Sequence, residues 1–274
     1  MVLFPPAKIN LGLRILRKRT DGYHDLDTVF YPIGLTDVLE IIPSTAATTE
    51  LKVTGITPPG DSDDNLCVKA WKLLKADFPQ LPPVYMHLHK NIPTGAGLGG
   101  GSADGAYALR GLNSTCKLGL SREQLISYAA QLGSDCPFFI YDEPCVSAGR
   151  GEILTPLPFS LNGYHLFLVN PGIHVSTKEA FAGVTPNEQA HSSSELLSQP
   201  IDTWQGELIN DFENSIFPNH PEIARIKQQL LDAGAVYASM SGSGSTVYGI
   251  FKESPAQVAF ASDYFVWRDE GMRR

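Results

Sequence analysis

The segment Asn91–Leu109 reads NIPTGAGLGGGSADGAYAL, with glycine at positions 95, 97, 99, 100 and 101 and an alanine-rich run directly after. Glycine loses more backbone entropy on folding than any other residue, so such a loop is costly unless a ligand needs the bare backbone. The preceding VYMHLHKNI predicts a strand, and SADGAYALRGL predicts a helix beginning near Ser102. That layout suits an anion: repeated glycines let several N–H groups converge on it, and the helix adds its positive dipole end. A polyphosphate is the natural ligand. The P-loop form does not apply, because no Gly-Lys-Ser/Thr follows and the loop holds no lysine. The dinucleotide fingerprint also fits poorly, since no strand-borne acid lies about twenty residues further on in a parallel βαβ setting. The competing reading is a flexible linker, which regular elements on both sides disfavour.

Upstream, KINLGLRIL alternates, with Ile9, Leu11, Leu13 and Ile15 on one face and Lys8, Asn10, Gly12 and Arg14 on the other. This predicts a half-buried strand. The Asp21-Gly22 turn leads to a second strand around Leu26–Ile33, and DVLEII (37–42) adds a third, so an antiparallel sheet opens the chain. Asn65 can cap a helix carrying Leu66, Ala70, Leu73, Leu74 and Phe78 at helical spacing. Ser121 and Gln124 form a capping box for a helix ending at Gly133, just before SDCPFF. Beyond GRGEILTPLP (149–158), YHLFLVN predicts a strand, Ser176 and Glu179 can cap a short helix, and residues 185–205 should be mostly loop. A helix with Ile223, Ile226, Leu230 and Ala233 on one face stops at Gly234. SMSGSGSTVYGIF then places a second glycine loop between two strands. Helices and strands mix without strict βαβ alternation, which points to α+β.

The 274 residues, 43% hydrophobic, suit two domains, divided here as 1–152 and 153–274. A net charge of −8 argues against a nucleic-acid partner, and the one basic cluster, RILRKR (14–19), is short and interrupted. The four cysteines form no CxxC pair, no secretory leader is evident, and no apolar run approaches a membrane helix. A soluble cytoplasmic protein, monomeric or weakly dimeric, is expected.

Several residues carry two readings each. Asp135, before Cys136-Pro137-Phe138-Phe139, is either a helix cap or a partly desolvated base. Lys8 is either a surface lysine or a fixed positive charge toward phosphate. Tyr23 and His24 follow a tight turn where aromatic rings are often exposed by accident, Phe181 has the periodicity of a core residue, and SGSGS (241–245) alone is most simply a turn. His87 and His89 lack metal-ligand spacing, and GxSxG is absent.

Taken together, PAKINLGL, DGYHDLDTVF, IPTGAGLGGGSAD, LGSDCPFF, NPGIHVSTKEAF and MSGSGSTVYGIF resemble the GHMP kinase superfamily from Pro6 to Phe251, in the family's order. The PAKINL start, the DGYH turn and GSDCPFF resemble the member that acts on a cytidine diphosphate-linked methylerythritol on the non-mevalonate route to isoprenoid precursors. The resemblance implies an S5-domain-2-like N-terminal domain, a ferredoxin-like C-terminal domain and substrates in the cleft between. It implies ATP and Mg²⁺ as cofactors and transfer of the γ-phosphate to the 2-hydroxyl of the acceptor. Asp135 then becomes the base, and Lys8 the charge that orients the hydroxyl. Pro93, Thr94, Gly95, Ala96, Gly97, Leu98, Gly99, Gly100, Gly101, Ser102 and Ala103 become the ATP-phosphate loop, with the Ser102 hydroxyl toward the metal. Tyr23 and Phe181 would sandwich the cytosine, the backbone near His24 would read its edge, and Asn10 and Lys90 would line the same cleft. Two rival readings are a superfamily kinase for homoserine, mevalonate or a sugar, and a nucleotide-binding regulatory module without catalysis. The aromatic cluster argues against the first, and the intact Lys8 and Asp135 argue against the second.

Overall fold

The computed structural model describes residues 1–57, 64–188, 191–255 and 258–269. The chain divides into two compact units that interleave along the sequence. The first holds Met1–Lys8, Leu35–Thr94 and Gly99–Glu143; the second holds Ile9–Gly34, Gly95–Leu98 and Pro144–Arg274.

In the first unit, strands β1 (Val2–Leu3), β4 (Val38–Pro43), β5 (Glu50–Gly55) and β6 (Val84–Lys90) form a sheet in the order β1-β4-β6-β5. Its pairs are antiparallel except β5 with β6. Helices α1 (Leu66–Asp77), α2 (Gly100–Thr115), α3 (Arg122–Leu132) and α4 (Phe138–Tyr141) complete the unit. The alanine and glycine content of α2 now has a packing cause. A Cβ on Gly111 would lie 2.6 Å from Leu3 Cδ1 and 2.7 Å from Ile41 Cδ1, so small residues let α2 approach the sheet. Asn65 caps α1 by accepting from the Cys67 N–H at 2.9 Å. Ser121 and Gln124 close the capping box of α3. Ser121→Ala is therefore expected to cost about 1 kcal/mol, read as a lower urea midpoint at unchanged slope.

In the second unit, β2 (Pro6–Lys18, whose first three residues belong to the first unit) and β3 (His24–Thr36) head a sheet ordered β2-β3-β7-β8, with β7 Cys145–Ala148 and β8 Ile153–Pro156. A second sheet runs β10-β11-β9-β12, from β9 (His165–Asn170), β10 (Tyr237–Met240), β11 (Val247–Phe251) and β12 (Phe265–Asp269), every pair antiparallel. Helices α5 (Thr177–Ala182), α6 (Ser193–Leu197), α7 (Phe212–Ile216) and α8 (Pro221–Asp232) accompany these sheets. Ile223, Ile226 and Leu230 of α8 enter an apolar cluster with Leu13, Ile15, Phe167, Val247 and Phe251. Residues 185–205 carry only α6 and a short 3₁₀ turn at Ile201–Thr203 among their described positions. The fold is α+β.

Two expectations change. The strand DVLEII does not extend the opening sheet: β4 pairs with β1 and β6, burying Leu39 and Ile41, while fully buried Asp37 binds the backbone N–H groups of Asn91 and Ile92. The polar face of β2 is also not solvated. Lys8 is 4% exposed and Asn10 1%, because both faces of the strand are covered. No disulfide links the four cysteines. Among the described residues, no helix is long and apolar enough to cross a membrane.

Candidate active site

Helix α2 starts at Gly100, two residues before the expected Ser102. Its N-cap is Gly99 at φ +71°, with no side-chain cap and no acid in the first turn. The first N–H groups of a helix lack intrahelical acceptors, so this end carries both donors and positive dipole charge without a built-in anion to meet them. A side chain at Gly99 would press on Phe139 Cζ at 2.9 Å and on Lys8 Cγ at 3.2 Å. The Lys8 stem thus runs against the loop. At Gly101, by contrast, a Cβ would meet nothing within 4 Å, so the approach to the helix start is open there.

Asp135 lies in the turn between α3 and α4, partly exposed, and accepts from the Ser134 hydroxyl at 3.3 Å. It is not a cap: α4 has Pro137 at its N-cap position and no side-chain cap bond. Lys8 is its electrostatic partner. Burial pushes the Lys8 ammonium below lysine's ordinary pKa, and the charge of Asp135 pulls it back. Next to Asp135, burial pushes the Cys136 thiol up to about 12, and the Ser102 hydroxyl is its hydrogen-bond partner. Cys136 is therefore a neutral thiol at physiological pH. Among the described residues, no three His, Cys, Asp or Glu side chains gather into a metal cage. The hard oxygens of Ser102 and Asp135 are the donor types Mg²⁺ accepts when it arrives on a nucleotide with its own phosphates and waters.

In the second unit, the apex of the glycine loop is fastened to the second glycine loop. Gly97 has φ +78°, and a Cβ there would lie 2.0 Å from the Ser241 carbonyl oxygen. The Ser241 hydroxyl donates to the Gly97 carbonyl at 2.9 Å and accepts from the Asn10 N–H at 3.3 Å. Asn10 is a hub, donating its side-chain amide to Thr28 at 3.0 Å while its carbonyl accepts from the Tyr248 hydroxyl at 2.6 Å.

The DGYH turn is also in this unit. Tyr23 is 56% exposed, with the Arg150 guanidinium 5.0 Å from its ring centroid. The ring stacked on Phe181 is that of His24, at 4.8 Å between centroids and 20° between planes. Phe181 additionally meets Phe212 edge-on and packs on the apolar cluster. Tyr23 and Phe181 therefore each already carry a cationic or aromatic neighbour, Arg150 and His24, that the sequence reading did not include.

Lys90 is 4% exposed and ion-paired with Asp37 and, at 2.7 Å, with Asp104. It is not an open cleft residue; its ammonium is committed to two buried carboxylates of its own unit. Asp37 and Asp104 were missed at the sequence level. The available signal was Asp104 itself, an acid set among alanines and glycines on the buried stretch Ala103–Leu109 of α2.

The sequence profiles described as GHMP kinases N terminal domain and GHMP kinases C terminal match residues 65–143 and 195–263. The chain belongs to the GHMP kinases, ATP-dependent phosphotransferases. Over 254 residues it is 51% identical to 4-diphosphocytidyl-2-C-methyl-D-erythritol kinase of Bacteroides thetaiotaomicron, with 92% of each chain covered. A crystal structure titled 4-(cytidine 5'-diphospho)-2C-methyl-D-erythritol kinase superposes with a TM-score of 0.79 at 31% identity, covering 91% of this chain and 90% of that one. The Methanococcus jannaschii mevalonate kinase superposes with a TM-score of 0.72 at 14% identity over 100% of this chain and 98% of that one, so it shares the fold alone.

Proposed function

We propose that this protein transfers the γ-phosphate of ATP to the 2-hydroxyl of 4-diphosphocytidyl-2-C-methyl-D-erythritol, a step of the non-mevalonate route to isoprenoid precursors. The observation that carries this reading is the 51% identity, over 92% of the chain, to a kinase of that name. Fold alone does not select the acceptor, since a mevalonate kinase shares it at 14% identity. The division of labour between residues 1–152 and 153–274, and a cytoplasmic location, belong to the same proposal.

Asp135 takes the proton of the 2-hydroxyl as its oxygen attacks the γ-phosphorus; the bond from that phosphorus to the bridging oxygen breaks, and ADP leaves. Lys8 holds the hydroxyl oxygen and the transferring phosphoryl group in one positive field. Phosphoryl transfer needs this positioning and charge neutralisation more than covalent chemistry. The Pro93–Ala103 loop holds the phosphates through the backbone N–H groups of its residues after Pro93, at the uncapped start of α2. Mg²⁺, held by the nucleotide and Ser102, would neutralise phosphate charge. Tyr23 and Phe181 take the cytosine, His24 reads its edge, and Asn10 stands beside the acceptor.

ADP release with Mg-ATP tests the acceptor, with homoserine, mevalonate and galactose run in parallel. Turnover with the cytidine compound alone is expected; turnover with another acceptor instead would overturn the reading. Base stacking contributes about 1–3 kcal/mol, so Tyr23→Ala should raise the KM for the cytidine substrate about 5- to 150-fold and leave the KM for ATP unchanged.

A further inference from the structure

Beneath the start of α2, three elements of the first unit bring charged side chains together. Lys90 ends β6, Asp37 sits between β3 and β4, and Asp104 lies in the second turn of α2. Asp37 Oδ1 accepts from the N–H groups of Asn91 (2.6 Å) and Ile92 (2.9 Å), the residues that begin the glycine loop. Its Oδ2 accepts from Lys90 Nζ, which also donates to Asp104 Oδ2 at 2.7 Å. A Cβ on Gly100 would lie 3.3 Å from Lys90 Nζ, so the ammonium sits directly under the first residue of the helix. One lysine thereby ties the loop's entry, through Asp37, to the helix that forms its exit, through Asp104.

We infer that Lys90 and Asp104 are positioning residues for the phosphate loop, holding its two ends in register from below, and that neither touches the acceptor. This rests on the reading of the loop as the ATP-phosphate site.

Burial works against the Lys90 ammonium, but Asp104 and Asp37 outweigh it and hold its pKa above lysine's ordinary value, so the tie is an ion pair. From α1, Cys67 packs against the same cluster, its Sγ 3.5 Å from the Asp104 carbonyl oxygen.

The test is ATP binding by calorimetry, with steady-state kinetics, on the full chain and on Asp104→Asn and Lys90→Met. Asp104→Asn keeps an oxygen that can accept from Lys90 Nζ, so it should bind ATP within about twofold of wild type. Lys90→Met should raise the KM for ATP at least about tenfold and leave the acceptor KM within about twofold. A Lys90→Met effect on the acceptor KM alone would overturn the inference. Wild-type protein that turns over but shows no ATP affinity change in Lys90→Met would also remove it while leaving the kinase reading intact. Absence of ATP binding in folded wild type would remove the loop reading and the inference together.

Discussion

Asp135→Asn is expected to bind ATP within about twofold of wild type and to lose about 10²–10⁴-fold in turnover. The amide matches the carboxylate in shape, so the turn between α3 and α4 survives, and α4 loses no cap because Asp135 supplies none. What disappears is the acceptor for the hydroxyl proton. A second consequence follows from Lys8. Burial already pushes its pKa down and Asp135 is the charge that opposes this, so removing that charge lowers the Lys8 pKa further. The residual activity of the variant should therefore decline at a lower pH on the alkaline side than that of the wild type. Steady-state rates across pH, with ATP affinity from calorimetry, check both points. Turnover close to wild type would take the base role from Asp135.

Gly97→Ala is expected to be the most damaging single methyl group in the phosphate loop. The added Cβ would lie 2.0 Å from the Ser241 carbonyl oxygen and 2.9 Å from its carbon, and backbone cannot rotate aside as a side chain can. The residue also sits at φ +78°, where an L side chain is strained. Overpacking at about 1–3 kcal/mol and left-handed strain at about 1–2 kcal/mol together imply a loss of about 2–5 kcal/mol. That is a large share of a stability of about 5–15 kcal/mol and should lower the Tm by roughly 10 °C. The ATP KM should rise in the same variant, because the loop can relieve the clash only by parting from Ser241. Unchanged Tm and ATP affinity would mean that the two glycine loops are not fastened as described.

What the sequence disclosed was local. The capping pairs Ser121–Gln124 and Ser176–Glu179, the Asn65 cap and the strand–loop–helix frame around Gly95–Gly101 all rest on residues within a few positions of one another. Lys8 and Asn10 were harder to read: alternation along β2 implies one wet face, and only elements distant in the chain, those carrying Thr28, Ser241, Tyr248 and Asp135, cover it. The change of sheet at β4 depends on Asp37 reaching Asn91 and Ile92, more than fifty positions away. At the site, composition and spacing led to a polyphosphate and no further; the roles of Lys8 and Asp135 came from resemblance to known kinases. Resemblance also singled out Lys90, but not the two acids that hold it, since a triad drawn from three elements has no linear pattern. Likewise Arg150 over Tyr23 and His24 on Phe181 are juxtapositions that the separate motifs do not reveal.

The central claim is that the γ-phosphoryl group goes to the cytidine-linked alcohol. Phosphorus NMR of the purified chain with Mg-ATP and 4-diphosphocytidyl-2-C-methyl-D-erythritol tests this without a coupled assay. A new phosphomonoester signal is expected to grow in step with loss of the ATP γ signal, while the two phosphorus signals of the acceptor's diphosphate persist, because no bond in that diphosphate breaks. Conversion of the γ signal to inorganic phosphate with the acceptor unchanged would contradict it.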